Sequence, residues 1–299
     1  MFEELSTSYC KIDEDVAKRV LATQCAYFAP LCKLPPEKIA TDLLNPAKSV
    51  KQADILARYV SLEKKDILEI GSGLGINLIS WTHLFSACVT GIEAEARGFD
   101  SSISLSRQLL RKNGLPIDLI IEGRGDNLPF PSESYDVVYS TNVLEHVGNP
   151  VQVLREGLRV LKRGGILQYV FPNYHSFFDG HYAVFHPPVF GKSFFPWYVK
   201  NVWHRDPAYA RTLRTELSVF WTRRQLNDLK KEFAFDVLSM GEDVFMDRML
   251  SGRFSPWAGL SKVKKTMEVI MAWHLNRPVA YVLVGLGFWS PIILTLKKK

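Results

Sequence analysis

Residues 67–77 read ILEIGSGLGIN, a short apolar run followed by three closely spaced glycines. The run at 66–70 has the composition of a buried parallel strand, and the stretch 75–85 has the length and spacing of a helix. The first strand–helix turn of an open α/β sheet is the usual contact for a ligand, and glycine lets a ligand approach the backbone. A glycine turn with only a structural role is the alternative interpretation.

Strand-like and helix-like segments alternate after this turn. We expect strands at 66–70, 88–92, 117–121, 135–139 and 166–171, and helices at 75–85, 95–113 and 151–161, the last closed by Arg163-Gly164-Gly165. Such alternation implies a parallel sheet covered on both faces, with right-handed crossovers. The sequence therefore predicts an α/β protein with a doubly wound, mostly parallel sheet.

Changes in composition divide the chain into four regions. Residues 1–60 read as an N-terminal helical cap punctuated by prolines, and 61–172 as the cofactor-binding core. Residues 173–222 are rich in aromatic residues, His and Pro, as expected of a lid or substrate insertion. The remaining residues, 223–299, are expected to complete the core sheet.

The overall composition excludes several classes of protein. Of the 299 residues, 47% are hydrophobic and 23% are charged, which argues against a disordered, collagen-like or polytopic membrane protein. The net charge of +6 is only a weak indication of anionic partners. Four cysteines without a C-x-x-C pair, and a first decapeptide without an apolar run, predict a cytoplasmic protein without a secretory signal.

The glycine spacing distinguishes between cofactors. A dinucleotide site requires G-x-G-x-x-G, but the glycines here are at 71, 73 and 75, and Ile76 occupies the place of the third. This disfavours a nicotinamide-dependent oxidoreductase. Glu93 ends the second strand, where an acid can reach ribose hydroxyls, although a solvated acid beside Glu95 is the plainer alternative.

Five segments, in order and at matching spacing, resemble class I S-adenosylmethionine-dependent methyltransferases of the type 11 group. They are residues 67–77, Glu93, residues 128–139 (LPFPSESYDVVY), residues 142–147 (NVLEHV) and residues 159–165 (RVLKRGG). The resemblance implies a seven-stranded Rossmann-like sheet and an enzyme that binds S-adenosylmethionine. Methyl transfer from a sulfonium depends mainly on positioning, so the absence of a nucleophile triad in the sequence agrees with it.

The resemblance also implies roles for individual residues. The glycine turn that follows Glu69 would lie along the methionine part and ribose of the cofactor, Glu93 would bind the ribose hydroxyls, and Asn142 would lie near the methionine part. The cofactor-binding residues expected on this basis are Glu69, Gly71, Gly73, Gly75, Glu93, Asp126 and Asn142.

Asp126 has the least direct support among these residues. The family's usual adenine-binding acid corresponds to Arg124 here, followed by Gly125 and Asp126. Either Asp126 replaces that acid, or the backbone of residues 124–125 alone holds the ring.

The sequence also restricts the methyl acceptor. Residues 140–143 read STNV and lack the [Asp/Asn/Ser]-Pro-Pro-aromatic turn of nucleic-acid amino methyltransferases, so nucleic acid is not the expected partner. An oxygen acceptor usually needs a base near neutral pH, and His181 and His146 are the candidates. Ordinary packed or surface histidines are the alternative. His175 and His186 lie nearby, but no acid–histidine register is evident, so no metal is expected.

Two short motifs, Gly180-His181-Tyr182 and Arg205-Asp206-Pro207, resemble type 11 members encoded with surface-polysaccharide and lipid-pathway enzymes. This favours a small-molecule or glycan- or lipid-linked acceptor, methylated at oxygen. A catalytically silent scaffold of the same fold is the alternative function, and the sequence leaves the oligomeric state open.

The C-terminal region is apolar. No charged residue occurs between 278 and 296, but Gly285, Gly287 and Pro291 interrupt the stretch. We expect a helix at 279–289 and, from the family, a closing antiparallel strand at 292–296. With the basic segment 262–275, this region predicts peripheral membrane contact through 262–289 as an alternative to a wholly cytoplasmic protein.

Overall fold

The computed structural model describes residues 3–27, 35–95, 102–188, 192–251, 269 and 271–299. The strands within these residues are β1 (Asp66–Ile70), β2 (Cys88–Glu93), β3 (Ile120–Glu122), β4 (Tyr135–Thr141), β5 (Leu161–Phe171), β6 (Phe178–Asp179), β7 (Val184–Phe185), β8 (Phe235–Ser239) and β9 (Ile292–Lys298). The α-helices are α1 (Glu14–Tyr27), α2 (Pro36–Leu43), α3 (Pro46–Leu56), α4 (Ile76–Phe85), α5 (Ser102–Lys112), α6 (Pro150–Val160), α7 (Phe194–Asn201), α8 (Val219–Leu229), α9 (Glu242–Ser251) and α10 (Asn276–Gly285).

Seven of these strands form one sheet in the order β3-β2-β1-β4-β5-β9-β8. The five strands from β3 to β5 are parallel, and β9 runs antiparallel between β5 and β8. This confirms the predicted doubly wound, mostly parallel, seven-stranded Rossmann-like sheet. In such a sheet the carboxyl ends of the parallel strands share one edge, where ligands bind.

The sheet has an apolar core on each face, because successive side chains of a strand point to opposite sides. Ile67 packs into the core that contains Trp81 and the N-terminal helices, whereas Leu68 packs into the core that contains Tyr169 and the helix α8. The side chains of Ile67 and Leu68 are both fully buried. A strand covered on both faces therefore needs a continuous apolar run, as residues 67, 68 and 70 supply.

Two predicted boundaries were wrong. Residues 117–119 form a 3-10 turn after Pro116, and the third strand covers only Ile120–Glu122. The motif Arg163-Gly164-Gly165 does not close a helix. It lies inside β5, where the pairing with β4 shifts register and Gly164 adopts a positive φ of 78°. Glycine permits this irregularity, so the strand begins at Leu161 instead of residue 166.

The C-terminal helix and strand follow the predicted order with different bounds. The closing strand β9 is antiparallel as expected, and α10 begins and ends earlier than predicted, so Trp289 lies beyond it and is buried. Among the described helices, none has both the length and the apolar character that crossing a bilayer requires. Residues 252–268 and 270 lie outside the described residues, so membrane contact through 262–289 stays a prediction, as does the fourfold division of the chain.

The position of β9 between two other strands makes its apolar side chains sensitive to truncation. Leu294 is completely buried, so Leu294→Ala is expected to lower the free energy of unfolding by about 2–5 kcal/mol through lost burial and a residual cavity. Leu238→Ala, on the exposed side of β8, serves as the control and should cost far less. Urea unfolding of both variants measures this difference, and equal stabilities would contradict the buried placement of β9.

Candidate active site

The glycine turn at the end of β1 is held against the neighbouring strand by its backbone. The amides of Gly71 and Ser72 both donate hydrogen bonds to the carbonyl of Ile92, at 2.8 and 3.2 Å. Gly71, Gly73 and Gly75 all have positive φ, between 53° and 74°, a region that other residues rarely adopt. The turn therefore requires glycine for its conformation, and it leads directly into α4.

Glu93 closes this turn from the end of β2. Its Oε2 accepts a hydrogen bond from the amide of Gly73 at 2.8 Å. Burial raises the pKa of Glu93, although the Gly73 and Ser102 hydrogen bonds favour its charged form. Among the described residues, no atom lies within 4 Å of the place where a Cβ on Gly73 would stand. A hydrogen-bonding carboxylate thus lies beside open space at the sheet edge where ligands are expected.

Glu69 is a second buried acid behind the same turn. Its Oε1 accepts a hydrogen bond from Nδ2 of Asn77 at 2.6 Å, and its Oε2 has no hydrogen-bond partner among the described residues. Burial raises the pKa of Glu69 to about 8, against the effect of the Asn77 hydrogen bond and with a smaller contribution from the charge of Glu93. An unpaired buried carboxylate oxygen is suited to a cationic group of a ligand.

The loop after β4 packs directly on the glycine turn. Asn142 has a positive φ of 54°, and its amide donates a hydrogen bond to the carbonyl of Val170 at 2.8 Å. A side chain at Gly71 would overlap Cγ2 of Val143. The amide of His146 donates to the carbonyl of Val143 at 2.9 Å, so the turn that carries His146 begins at the residue lying on the glycine turn.

The carboxylate of Asp126 is paired with the side chain of Arg124. Its two carboxylate oxygens accept hydrogen bonds from Arg124, at 2.9 Å from Nε and 2.7 Å from Nη2. The Arg124 side chain is largely exposed and could leave this pair without a buried charge being stranded. The role of Asp126 in adenine binding stays a prediction.

The first part of the lid region forms a hairpin of β6 and β7, and the turn between them orients His181. Asp179 is fully buried and accepts two hydrogen bonds, from the amide of Tyr182 to Oδ1 at 2.8 Å and from Nδ1 of His181 to Oδ2 at 3.1 Å. The hydroxyl of Tyr182 donates to the carbonyl of Asp206 at 2.8 Å and accepts from the amide of Ala210 at 2.9 Å. The two lid motifs of the sequence therefore meet in the structure.

His181, on the lid hairpin, lies against His146, on the loop after β4. Their Nε2 atoms are 3.3 Å apart, and Oε1 of Glu145 lies 3.8 Å from Nε2 of His181 and 3.9 Å from that of His146. Glu145 is completely buried, and neither of its carboxylate oxygens has a hydrogen-bond partner within the described part of the chain. We call Glu145, His146, Asp179 and His181 the acid–histidine cluster.

The pKa values of the residues in the acid–histidine cluster are shifted in different directions. Burial disfavours the charged form of His181, but the charge of Asp179 and its hydrogen bond outweigh burial, so the pKa of His181 is raised. Burial, together with the charge of His181, lowers the pKa of His146 to about 3. Burial raises the pKa of Glu145 to about 7, although the charge of His181 opposes this. Asp179 and His181 thus stabilise each other's charged forms.

The other two lid histidines lie elsewhere. His175 stacks obliquely near Phe220, with ring centroids 5.7 Å apart. His186 is buried, its Nδ1 lies 2.7 Å from the carbonyl of Pro187, and its ring packs against Phe195. Of the four histidines considered from the sequence, the structure brings together only His146 and His181.

Sequence reasoning missed both acids of the cluster. Glu145 immediately precedes His146 in NVLEHV, and Asp179 lies two residues before His181 in the run DGHY. A short acidic side chain two residues before a histidine, in a Gly-containing turn, was a signal that could have indicated Asp179. No local pattern links Glu145 to His181, because 36 residues separate them and only the lid hairpin brings them together.

Comparison with known proteins supports the function indicated by the glycine turn. Residues 68–168 match a family model described as a methyltransferase domain. The chain is 29% identical over 196 residues to a demethylmenaquinone methyltransferase of Geobacillus stearothermophilus, spanning 62% of this chain and 82% of the relative. It is 33% identical over 125 residues to a protein of the same name from Listeria welshimeri, spanning 39% and 52% of the two chains.

A solved structure from Galdieria sulphuraria, described as a candidate sarcosine dimethylglycine methyltransferase, has the same fold. It aligns with a TM-score of 0.52 at 15% identity and covers 96% of this chain and 99% of its own. At this identity the likeness concerns the fold alone.

The contact between Glu93 and the glycine turn leads to a binding prediction. Glu93→Ala is expected to weaken the binding of S-adenosylhomocysteine by about 1–3 kcal/mol, because a charged hydrogen-bonding partner is lost. Calorimetric titration of the purified chain measures this change. Glu95→Ala, which removes an exposed acid two residues away, is the matched control and should bind as the wild type does.

Two further results bear on this prediction. Thermal unfolding of Glu93→Ala should be compared with the wild type, so that loss of binding is not confused with loss of the fold. Equal affinities in Glu93→Ala and wild type would mean that the ribose lies elsewhere, and binding of NADH in a parallel titration would contradict the choice of cofactor.

Proposed function

Because this chain is a class I S-adenosylmethionine-dependent methyltransferase, we propose that it methylates a hydroxyl oxygen of a small-molecule acceptor that is linked to a lipid or glycan. The observation that carries the proposal is the Asp179–His181 pair, which faces His146 in the turn that lies on the glycine turn. A buried carboxylate that orients an imidazole is the arrangement expected of a general base.

The residues around the glycine turn fit the cofactor. Glu93 and the open side of Gly73 suit a ribose with its hydroxyls, and the unpaired Oε2 of Glu69 suits a cationic group such as the amino group of the methionine part. Asn142, exposed at the end of β4, is proposed to contact the same part. When bound, S-adenosylmethionine supplies a methyl group whose bond to sulfur breaks as the bond to the acceptor oxygen forms, leaving S-adenosylhomocysteine.

The chain's own residues would handle the proton of the acceptor hydroxyl. Because Nδ1 of His181 donates to Asp179, Nε2 of the neutral ring carries the lone pair and can accept the proton. Asp179 then stabilises the imidazolium that forms. His146 remains neutral, since its charged form is strongly disfavoured, and it is the second candidate for contact with the acceptor.

Exposed aromatic side chains near the lid support an acceptor with an apolar part. Phe177, exposed on the lid, contacts Phe288 with ring centroids 5.3 Å apart, and Phe220 is exposed beside His175. The sequence relatives are named for demethylmenaquinone, an acceptor that is itself a quinone. We therefore favour lipid-linked acceptors, with quinone precursors included among those to be screened.

A screen with a labelled methyl donor tests the acceptor class. The purified chain is incubated with fractionated lipid and glycan extracts, and with quinone precursors, and the labelled product is located by mass spectrometry. We expect one product, labelled at oxygen. A methyl group on carbon or nitrogen would contradict the proposed atom, and labelling of nucleic acid or protein would contradict the acceptor class.

Removing the proposed base, His181, should slow turnover without weakening cofactor binding. His181→Ala is expected to lower kcat by about 10²–10⁴-fold, the usual contribution of a general base, while the affinity for S-adenosylhomocysteine stays unchanged. His204→Ala, which removes an exposed histidine from the same lid region, is the control. Undiminished turnover of His181→Ala would assign deprotonation to another group.

A further inference from the structure

We propose that Glu145, His146 and His181 bind one divalent transition-metal cation of the zinc class. Two imidazole nitrogens and one carboxylate oxygen are a donor set that such cations use in catalytic sites, with a further position open. The sequence predicted no metal, because the acid of the set lies beside one histidine and far along the chain from the other.

The spacing of the three donor atoms matches one central ion. Their separations are 3.3 Å between the two Nε2 atoms, and 3.8 and 3.9 Å from these to Oε1 of Glu145. A triangle with these sides has a centre about 2.1 Å from each corner, within the ~2.0–2.2 Å that zinc keeps to nitrogen and oxygen ligands. That point lies in the plane of the three atoms, so a tetrahedral site, whose ligand atoms stand about 3.4 Å apart, needs Glu145 to move toward the histidines by a few tenths of an ångström.

The burial of Glu145 supports a cation at this place. Its side chain has no exposed surface, and both carboxylate oxygens lack a hydrogen-bond partner in the described part of the protein. A buried carboxylate without partners is costly, whereas coordination to a cation would satisfy it. The two histidines do not satisfy this carboxylate by themselves, because their Nε2 atoms lie 3.9 and 3.8 Å from Oε1 of Glu145, beyond hydrogen-bond distance.

Asp179 holds His181 as an outer partner of a metal ligand does. Its Oδ2 accepts from Nδ1 of His181, which leaves Nε2 with a lone pair directed at the cluster. Its Oδ1 is fixed in turn by the amide of Tyr182. A carboxylate that binds the far nitrogen of a histidine is the usual arrangement behind a metal-bound imidazole.

The site is accessible on one side. The His181 and His146 side chains are 18% and 32% exposed, whereas Glu145 closes the rear. A cation bound there would have its fourth position on the exposed side of the two histidines. Water or an oxygen of the acceptor can occupy that position.

The role of the cation rests on the proposed function, although its binding does not. An acceptor hydroxyl at the fourth position would lose its proton more readily, since coordination lowers the pKa of a bound oxygen. Nε2 of His181 is then a ligand, so this proton passes to water. The oxygen still forms its bond to the methyl carbon as the bond from carbon to sulfur breaks.

Titration of the metal-stripped full chain with Zn²⁺, by calorimetry and against a chromophoric chelator, tests the binding. We expect one equivalent to bind to the wild type. Glu145→Gln keeps the size of the side chain and should weaken Zn²⁺ binding by at least ~10- to 100-fold. Loss of a residue that only supports a metal ligand already has an effect of this size, so loss of a ligand itself should cost no less. His204→Ala, an exposed histidine outside the cluster, should bind as the wild type does.

A second variant and a spectroscopic signal distinguish loss of the metal site from loss of the fold. Asp179→Asn should weaken binding less than Glu145→Gln, and Co²⁺ bound to the wild type should show visible absorption bands that Glu145→Gln lacks. Thermal unfolding without metal confirms that each variant is folded. Failure of the wild type to bind one equivalent, or equal affinity in wild type and Glu145→Gln, would overturn the proposal and leave transfer through His181 as base in place.

Methyl transfer with and without chelator separates the two proposals. Activity that falls on chelation and returns with Zn²⁺ supports the catalytic role of the cation. Stoichiometric binding with transfer unaffected by chelator would overturn that role. Stoichiometric binding with no transfer to any hydroxyl acceptor would count against the proposed function and leave the metal site standing.

Discussion

The close contact between the glycine turn and the loop after β4 is the constraint on which the candidate site depends. Gly71 cannot carry a side chain, because Val143 occupies that space, and Gly75 is similarly covered by Ser106. The contact brings the end of β1 and the end of β4 together at one edge of the sheet. It places the glycine turn and the turn that carries Glu145 and His146 side by side.

Burial determines the chemistry of the acids at this edge. Glu69, Glu93 and Glu145 all have a raised pKa, and in each case burial is the largest cause. Asp179 is equally buried, yet its pKa is lowered, because His181 and the amide of Tyr182 stabilise its charge. The hydrogen bonds that Glu69 and Glu93 accept do not offset their burial, whereas the charge of His181 helps to do so for Asp179.

The lid hairpin supplies half of the acid–histidine cluster. Tyr182 is fully buried and its hydroxyl is bound to the backbone on both sides of residue 208, so the hairpin is anchored to the chain that follows it. The anchoring fixes Asp179 and His181 opposite His146. The cluster is therefore built from two separate segments of the chain, and its geometry depends on both.

The alternation of apolar runs and helices was enough to predict the sheet, because a strand covered on both faces needs a continuous apolar sequence. The two errors, at residues 117–119 and at Arg163-Gly164-Gly165, occur where a proline turn and a glycine bulge locally override the periodic pattern. The glycine turn and Glu93 were also predictable, since their spacing along one strand–turn–helix unit is local. The role of Asp126 was already open from the sequence alone, and in the structure its carboxylate pairs with Arg124.

The amino-acid sequence by itself thus determined the parallel part of the sheet and the position of the glycine turn, because both follow from periodicity and spacing within short segments. Only the tertiary structure decided which histidine meets which acid. His146 and His181 lie 35 residues apart and become neighbours through the folding of the lid over the sheet edge. The same fold buries the Glu145 carboxylate with no hydrogen-bond partner among the described residues, a property of three-dimensional packing that has no counterpart in the local sequence.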